Sequence, residues 1–185
     1  MSDMDKCIIL RYGELILRRA NRRKYEDVLE KNVRKMLDEH GVKAIIKRIK
    51  GRMLIFTDLD CGFLRRVFGV VSVSNAYRTT RDANKINEVV KSFGNVKTRI
   101  KFADKMKEDK VLIKNIESEG ENIVNIDVYP DHVFVYDKKE RAAEGLPVGS
   151  EGKVEVIVKD EIGLLAALLM MKRGCAVVPV VVGTV

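Results

Sequence analysis

Residues 7–24, CIILRYGELILRRANRRK, open the part of the chain that decides the fold. The apolar run at residues 7–10 is typical of a buried strand. Asn21 is a suitable N-cap residue and precedes a cationic first turn. Apolar residues then recur at helical spacing as far as Gly41, namely Tyr25, Val28, Leu29, Met36 and Leu37. This pattern predicts a strand followed by an amphipathic helix.

Two strands and a second helix complete the predicted first domain. The segments KAIIKRI (residues 43–49) and MLIFT (residues 53–57) flank Gly51-Arg52, which predicts a hairpin. A short helix is predicted over residues 63–68 and a strand over residues 70–77. The order βαββαβ predicts a ferredoxin-like plait over residues 1–78, with an antiparallel sheet and two helices on one face.

Residues 79–138 predict a second, smaller α/β unit. Thr79 to Asp82 offer capping groups for a helix over residues 84–93. The predicted strand VKTRIKF (residues 96–102) alternates, with Arg99 and Lys101 on one face. The remaining elements are a helix over residues 104–119, with Val111, Leu112 and Ile116 as its apolar stripe, and strands over residues 123–128 and 133–136. A unit of this size is only marginally stable alone.

A linker over residues 139–152 leads into KVEVIVKDEIGLLAALLMMKRGCAVVPVVV (residues 153–182). This last stretch predicts strand, loop, buried helix and strand, because Lys172 and Arg173 followed by Gly174 indicate a helix C-terminus. A helix that is apolar nearly all round must be covered. We therefore expect the C-terminal unit, residues 153–185, either to dock on the preceding domains or to pair with a second copy, and we favour a homodimer. In α/β folds ligands bind at the loop after such a strand.

The net charge of +8 is confined to one part of the chain. Residues 1–78 hold 18 Lys/Arg and 10 Asp/Glu, whereas the two groups balance over residues 79–138 and over residues 139–185. A concentrated basic surface attracts polyanions, most commonly nucleic acid. The alternative is an ordinary solvated surface.

Five of these cations, Arg18, Arg19, Arg22, Arg23 and Lys24, surround the N-terminus of the first predicted helix. Cations there oppose the helix dipole. A sequence that accepts this cost is expected to use the site for phosphate, which backbone N–H groups at a helix N-terminus also favour. Solvation of a loop by these side chains is the alternative.

Composition also excludes several classes. No apolar run reaches the length of a membrane span, and the N-terminal MSDMDK lacks the cations of a signal peptide, so a cytoplasmic protein is expected. Cys7, Cys61 and Cys175 are far apart, and with two histidines they have neither metal-ligand nor disulfide spacing. We expect core cysteines, no metal and no cofactor. The absence of Gln with abundant Lys, Arg and Glu favours a thermophile.

Several stretches resemble one family. RYGELILRRANRRKYE (residues 11–26), the Gly51-Arg52 pair and RRVFGVVSVSNAY (residues 65–77) resemble the N-terminal ferredoxin-like domain of the tRNA 4-thiouridine synthetase family, sulfurtransferases also linked to thiamine biosynthesis. RIKFADK and NIDVYPDHVFVY, at residues 99–105 and 125–136, resemble a THUMP domain. EGLPVGSEGKV and LLMMKRG, at residues 144–154 and 168–174, resemble that family's linker and the first helix of its pyrophosphatase-type (PP-loop) catalytic domain.

The resemblance implies that the first two domains bind tRNA near its acceptor end. The matching residues are Arg11, Tyr12, Gly13, Glu14, Asn21, Arg22, Gly51 and Arg52 in the first domain and Arg99, Lys101 and Lys105 in the second. Together with the cations around the first helix, the arginines and lysines of this set and Asn21 are the predicted RNA-binding residues. Phosphate and shape readout is expected, because aromatic residues make up only 6% of the chain and Trp is absent.

The family's PP-loop reads Ser-Gly-Gly-x-Asp-Ser, and the corresponding positions of this sequence carry other residue types. The six corresponding positions are Val158, Lys159, Asp160, Glu161, Ile162 and Gly163. Both loop glycines are replaced by charged residues, and two carboxylates would repel a phosphate. Cys175 does not match the family's persulfide cysteine. A solvated polar turn is a simpler interpretation of Asp160 and Glu161 than a new metal site.

Three hypotheses follow. The first is a non-catalytic tRNA-binding accessory protein or adaptor in tRNA modification. The second is the RNA-binding half of a split tRNA sulfurtransferase, whose ATP site lies on a separate PP-loop or sulfur-transfer enzyme. The third is a protein-interaction module that uses the apolar C-terminal unit.

Overall fold

The computed structural model describes residues 5–13, 21–49, 51–103, 106–116 and 118–183. Four α-helices are described, namely α1 (Arg22–Glu39), α2 (Ala83–Lys91), α3 (Lys110–Ile116) and α4 (Glu161–Lys172). The described strands are β1 (Asp5–Arg11), β2 (Ile45–Ile49), β3 (Arg52–Phe56), β4 (Ser72–Thr79), β5 (Val96–Phe102), β6 (Asn122–Val128), β7 (Val133–Tyr136), β8 (Glu140–Arg141), β9 (Lys153–Val158) and β10 (Ala176–Val181).

The N-terminal part of the chain forms the predicted ferredoxin-like plait. Its strands lie in the order β2-β3-β1-β4, with α1 between β1 and β2. Gly51 connects β2 to β3 with φ 77°, a left-handed conformation that glycine adopts without strain. The short helix predicted over residues 63–68 is a 3₁₀ helix, Gly62–Arg66.

The chain divides into two compact units that cut across these strands. The first unit contains the described parts of Met1–Ile9, Leu54–Asp60 and Ser74–Lys139, and the second contains those of Leu10–Met53, Cys61–Val73 and Glu140–Val185.

In the first unit, β4 lies next to β7, then β6, then β5. The β5–β6 pair is parallel and the β6–β7 and β4–β7 pairs are antiparallel. Apolar residues of α2 and α3 pack against one face of these strands and form the core with Val124, Ile126, Val133 and Val135. Helix α3 is much shorter than the predicted helix over residues 104–119, because residues 106–109 and 118–120 are not helical.

In the second unit, β9 and β10 pair in parallel, and α4 packs on both. Within the single chain the helix predicted to be buried is largely exposed, since Ala167 is the only buried residue of α4. Five aliphatic side chains of α4 are at least half exposed, namely Ile162, Leu164, Leu165, Leu168 and Leu169.

The segment between β7 and β9 is irregular but held by many hydrogen bonds. It includes β8, which pairs antiparallel with Ser72 and Val73 of β4. Further along, the amide of Leu146 donates to the Lys172 carbonyl oxygen at the end of α4. The Tyr25 hydroxyl of α1 donates to Glu151 over 2.5 Å, which fastens the segment to the plait helix within the second unit.

Candidate nucleic-acid interface

The first turn of α1 carries three consecutive cations, Arg22, Arg23 and Lys24, which we call the α1 cluster. No acidic residue lies in this turn, and no basic residue lies in the last turn of the helix. Asn21 occupies the N-cap position, as predicted, but its side chain makes no capping hydrogen bond. The helix therefore begins with its positive dipole end uncompensated by any side chain of its first turn.

Arg22 is partly committed to partners within the protein. Its Nε donates to Glu26 over 2.7 Å, and the Tyr12 hydroxyl donates to the same carboxylate oxygen over 3.0 Å. The bond to Glu26 raises the pKa of Arg22. Burial, reinforced by Glu26, raises the pKa of Tyr12 to about 12. Arg22 is thus an anchoring side chain, whereas Arg23 and Lys24 are exposed.

A second basic feature lies on β5, in the first unit. Lys97, Arg99 and Lys101 are all exposed and alternate with residues that face the helices, so they lie on the face of the strand opposite the core. We call these three residues the β5 stripe. Successive members are two residues apart, which spaces their Cα atoms by about 6.6 Å. Asn125 of β6 pairs with Arg99 in the parallel register.

The other predicted RNA-binding residues are either less exposed or outside the described residues. Arg11 and Arg52 are only partly exposed, at the end of β1 and the start of β3. Arg18, Arg19, Glu14 and Lys105 lie outside the described residues. Lys97 was missed by the sequence analysis, although it continues the alternation of Arg99 and Lys101 and could have been found from it.

Not every cation of α1 belongs to such a site. Further along the helix, a groove is lined by four acidic and four basic side chains, namely Asp27, Glu30, Lys31, Arg34, Lys35, Asp38, Glu39 and Arg48. Arg48 bonds to Asp27 over 2.6 Å, and Arg34 bonds to Glu30 over 2.6 Å. Charge is balanced within this groove, so it offers a polyanion little attraction.

The loop before α4 follows a parallel strand and leads into a helix N-terminus, which is where α/β folds bind nucleotides. Its side chains, however, do not suit a phosphate. Asp160 is the N-cap residue, and its carboxylate accepts from the Gly163 amide over 2.9 Å. That carboxylate occupies the position where a helix N-terminus would hold a phosphate oxygen. A Cβ on Gly163 would lie 2.8 Å from the Ile157 carbonyl oxygen, so the close approach of α4 to β9 requires glycine.

The cysteines are placed as core residues. Cys7, Cys61 and Cys175 are all buried. Burial raises the pKa of Cys7 to about 12, and the neighbouring Arg78 offsets this only in part. Within the described ranges, His, Cys, Asp and Glu form no cluster of three or more that could hold a metal ion. Nor is any helix of the described residues long and apolar enough to cross a membrane.

Comparison with known proteins agrees with this architecture. Residues 7–74 match the ThiI ferredoxin-like domain. The chain is 31% identical to a probable tRNA sulfurtransferase of Thermococcus kodakarensis over 96% of its own length and 55% of that protein. It is 29% identical to a probable tRNA sulfurtransferase of Methanocaldococcus jannaschii over 92% of its length and 54% of that protein.

Two solved structures share the fold. PH1313 from Pyrococcus horikoshii superposes with a TM-score of 0.81 at 27% identity, over 97% of this chain and 69% of that one. A 4-thiouridine synthetase solved with RNA and bound ATP gives a TM-score of 0.75 at 22% identity, over 96% of this chain and 52% of that one.

The fold and the sequence similarity thus define a relative of RNA-modifying enzymes built on a ferredoxin-like domain. Residues 7–74 belong to the ThiI ferredoxin-like domain family, and the chain as a whole is related in sequence to the tRNA sulfurtransferases. It spans about half the length of the sulfurtransferases it matches.

Proposed function

We propose that this protein is a tRNA-binding accessory protein or adaptor in the formation of 4-thiouridine and does not itself catalyse sulfur transfer. The observation that carries the proposal is the α1 cluster. Three cations stand at the positive end of a helix dipole, where each costs a few tenths of a kcal/mol or more. Negative charge from RNA phosphates would turn that cost into a favourable interaction.

The β5 stripe adds a second phosphate-binding element of the same kind. Its three side chains are exposed on one face of a strand, and none of them has an acidic neighbour on β5 itself. The relatives named tRNA sulfurtransferases and the RNA-bound 4-thiouridine synthetase support tRNA as the polyanion. We propose that Arg23, Lys24 and the β5 stripe contact phosphates, and that Arg22 positions the first turn of α1 through Glu26.

The lack of catalysis is proposed from the loop before α4. A phosphate approaching this helix N-terminus would meet the carboxylates of Asp160 and Glu161, and the Gly163 amide is already used by Asp160. The same loop carries Lys159 and Asp160 where the resemblance expects glycines. We therefore expect no ATP binding by this chain alone.

The experiment is filter binding of tRNA and of duplex DNA at several salt concentrations. We expect tRNA binding that weakens steeply with salt and a clear preference for tRNA over DNA at moderate salt. Substitution of Arg23 and Lys24 by Ala should weaken binding several-fold. Equal affinity for tRNA and duplex DNA would refute the proposal.

A second candidate is the RNA-binding half of a split enzyme, and the exposed apolar surface of α4 favours it. A parallel two-stranded sheet with one helix is normally part of a larger sheet covered on both faces. A separate PP-loop or sulfur-transfer polypeptide could supply that cover, and so could a second copy of this chain in a homodimer. Copurification of a PP-loop protein that restores ATP-dependent thiolation would distinguish this candidate, whereas light scattering of the isolated protein tests the dimer.

If the apolar surface were the only working surface, the protein would be an interaction module. Under that reading, substitution of Arg23 and Lys24 would leave function unchanged. The accessory role instead requires that these substitutions reduce thiolation or tRNA stability in proportion to the loss of tRNA binding.

A further inference from the structure

A pair of stacked rings lies at the C-terminal end of α1. His40 follows the last residue of the helix, and its ring is parallel to that of Phe63, with the centroids 3.8 Å apart and an interplanar angle of 7°. Nδ1 of His40 lies 2.9 Å from the Met36 carbonyl oxygen. Because a carbonyl oxygen only accepts, Nδ1 carries the hydrogen, and this bond fixes the plane of the ring relative to the helix.

The exposure of this stack distinguishes it from the other aromatic side chains. The chain contains six Phe, five Tyr and two His, all within the described residues, and His40 is the only exposed one among them. Phe63 covers one face of the imidazole and is itself partly exposed. Stacking on Phe63 covers only one face of the imidazole and leaves His40 exposed as a residue.

A cation accompanies the stack. Phe63 and Arg66 are three residues apart on the 3₁₀ helix, whose side chains at i and i+3 lie on the same side. Arg66 is exposed, and within the described part of the chain no ion pair is found for it. Its neighbour Arg65, in contrast, pairs with Glu140 over 2.9 Å.

We propose that His40, Phe63 and Arg66 form a site for one unpaired nucleotide of an RNA strand. The base stacks on the open face of His40, Phe63 supports that ring from behind, and Arg66 pairs with the adjacent phosphate. This inference rests on the proposed RNA-binding function but uses a different end of α1. The helix has 18 residues, so the site lies about 27 Å along its axis from the α1 cluster.

The chemistry favours an unpaired base of any identity. A duplex keeps its bases stacked on each other and offers no free face to His40, whereas an unpaired base offers its π-face. Stacking on an aromatic side chain is tolerant of sequence because every base has such a face. The site therefore adds a preference for RNA with an unpaired segment.

The test uses a nine-nucleotide oligouridylate with one central 2-aminopurine, whose fluorescence falls when the base stacks. The wild-type protein should bind this strand and quench it. His40→Ala should abolish the quenching and weaken binding about tenfold, within the range for loss of one stacked base. His40→Phe, which keeps a ring, should retain both. Arg66→Ala should weaken binding but leave quenching at saturation intact.

Two controls separate stacking from charge and from folding. Lys35→Ala removes a cation near the same helix end without touching the rings and should leave quenching unchanged. An RNA hairpin closed by a short loop of abasic residues offers no unpaired base, so wild type and His40→Ala should bind it equally. Thermal melting of each variant verifies the fold.

Absence of quenching by the wild type, equal binding by wild type and His40→Ala, or equal losses in His40→Ala and His40→Phe would each overturn the site. A loss with His40→Ala that is as large for the hairpin would overturn it as well. These outcomes are distinct from failure of the proposed function, which appears as equal affinity of the wild type for tRNA and duplex DNA.

Discussion

The β5 stripe allows a quantitative prediction about salt dependence. Replacing Lys97, Arg99 and Lys101 together by Gln removes three cations from one exposed strand face. If each side chain contacts one phosphate, the slope of log Kobs against log salt should become less negative. The change is about 2.7 with the coefficient for duplex B-DNA, or about 2.1 with the coefficient for single strands. Between 50 and 200 mM salt, the wild-type affinity should then fall about 20- to 40-fold more than that of the variant.

The measurement is a tRNA titration by filter binding or fluorescence anisotropy at four or more salt concentrations. A matched control replaces three exposed lysines elsewhere, Lys31, Lys35 and Lys43, by Gln. Both variants lower the net charge from +8 by the same amount, so a general electrostatic effect would appear equally in both. Gln is used because it is polar and uncharged, and surface changes of this type usually alter stability by less than about 0.5 kcal/mol.

The reasoning fails in two ways that the titration separates. An unchanged slope in the β5 variant means that the stripe makes no phosphate contact, whatever the absolute affinity. An equal change in the β5 variant and in the control means that only total charge matters. We expect the control slope to change by less than one.

Further predictions concern stability and cysteine chemistry. Arg48→Gln should lower the free energy of unfolding at pH 7 by about 1 kcal/mol, measured by urea titration, because Arg48 pairs with the poorly exposed Glu30. Burial alone would raise the pKa of Glu30, but hydrogen bonds from two arginines outweigh it and lower that pKa, so this difference should be full above about pH 4.5 and vanish as pH falls through the lower folded pKa. Gly145→Ala should cost at least about 1–3 kcal/mol, since φ is 76° and a Cβ would overlap a carbonyl oxygen of α4; Gly149→Ala, with φ 90° and open space, should cost less, and equal costs would deny that the segment packs on α4. Cys7, whose pKa burial raises to about 12, should resist alkylation by iodoacetamide at pH 8 until urea unfolds the protein, as mass spectrometry can follow; rapid native labelling would contradict its burial.

Local sequence patterns predicted much of the fold. The strand predicted over residues 96–102 coincides with β5, because polar and apolar residues alternate there without interruption. The N-cap role predicted for the segment before α2 is confirmed, since Asp82 accepts from the Lys85 amide over 3.0 Å. The family and the plait followed from motifs that together cover most of the chain.

Other features depend on contacts that no local pattern contains. Val111 was assigned to the buried stripe of α3, yet it is 71% exposed, whereas Leu112 and Ile116 are buried. Asp109 accepts from the Leu112 amide over 3.0 Å and precedes the first residue of α3, Lys110. The bond from Tyr25 to Glu151 joins residues 126 positions apart and has no signature in either neighbourhood. Likewise, the pairing of Arg22 with Glu26 was visible only as a spacing of four, which left open whether the cation was free.

The N-termini of α1 and α4 show how the side chains at a helix N-terminus decide what it can bind. At α4, Asp160 accepts from the Gly163 amide. This amide is therefore already hydrogen-bonded and is not available to a phosphate. At α1, Asn21 makes no such bond and three cations follow, so neither the N-cap side chain nor any acidic residue of the first turn offsets the positive end of the dipole. The helix N-terminus is thus capped by a side chain in α4 and lacks a side-chain cap in α1. Binding of anions in this protein should therefore concentrate at α1, and Asp160→Ala should destabilise α4 by about 1 kcal/mol without creating affinity for ATP, because Glu161 still faces the site.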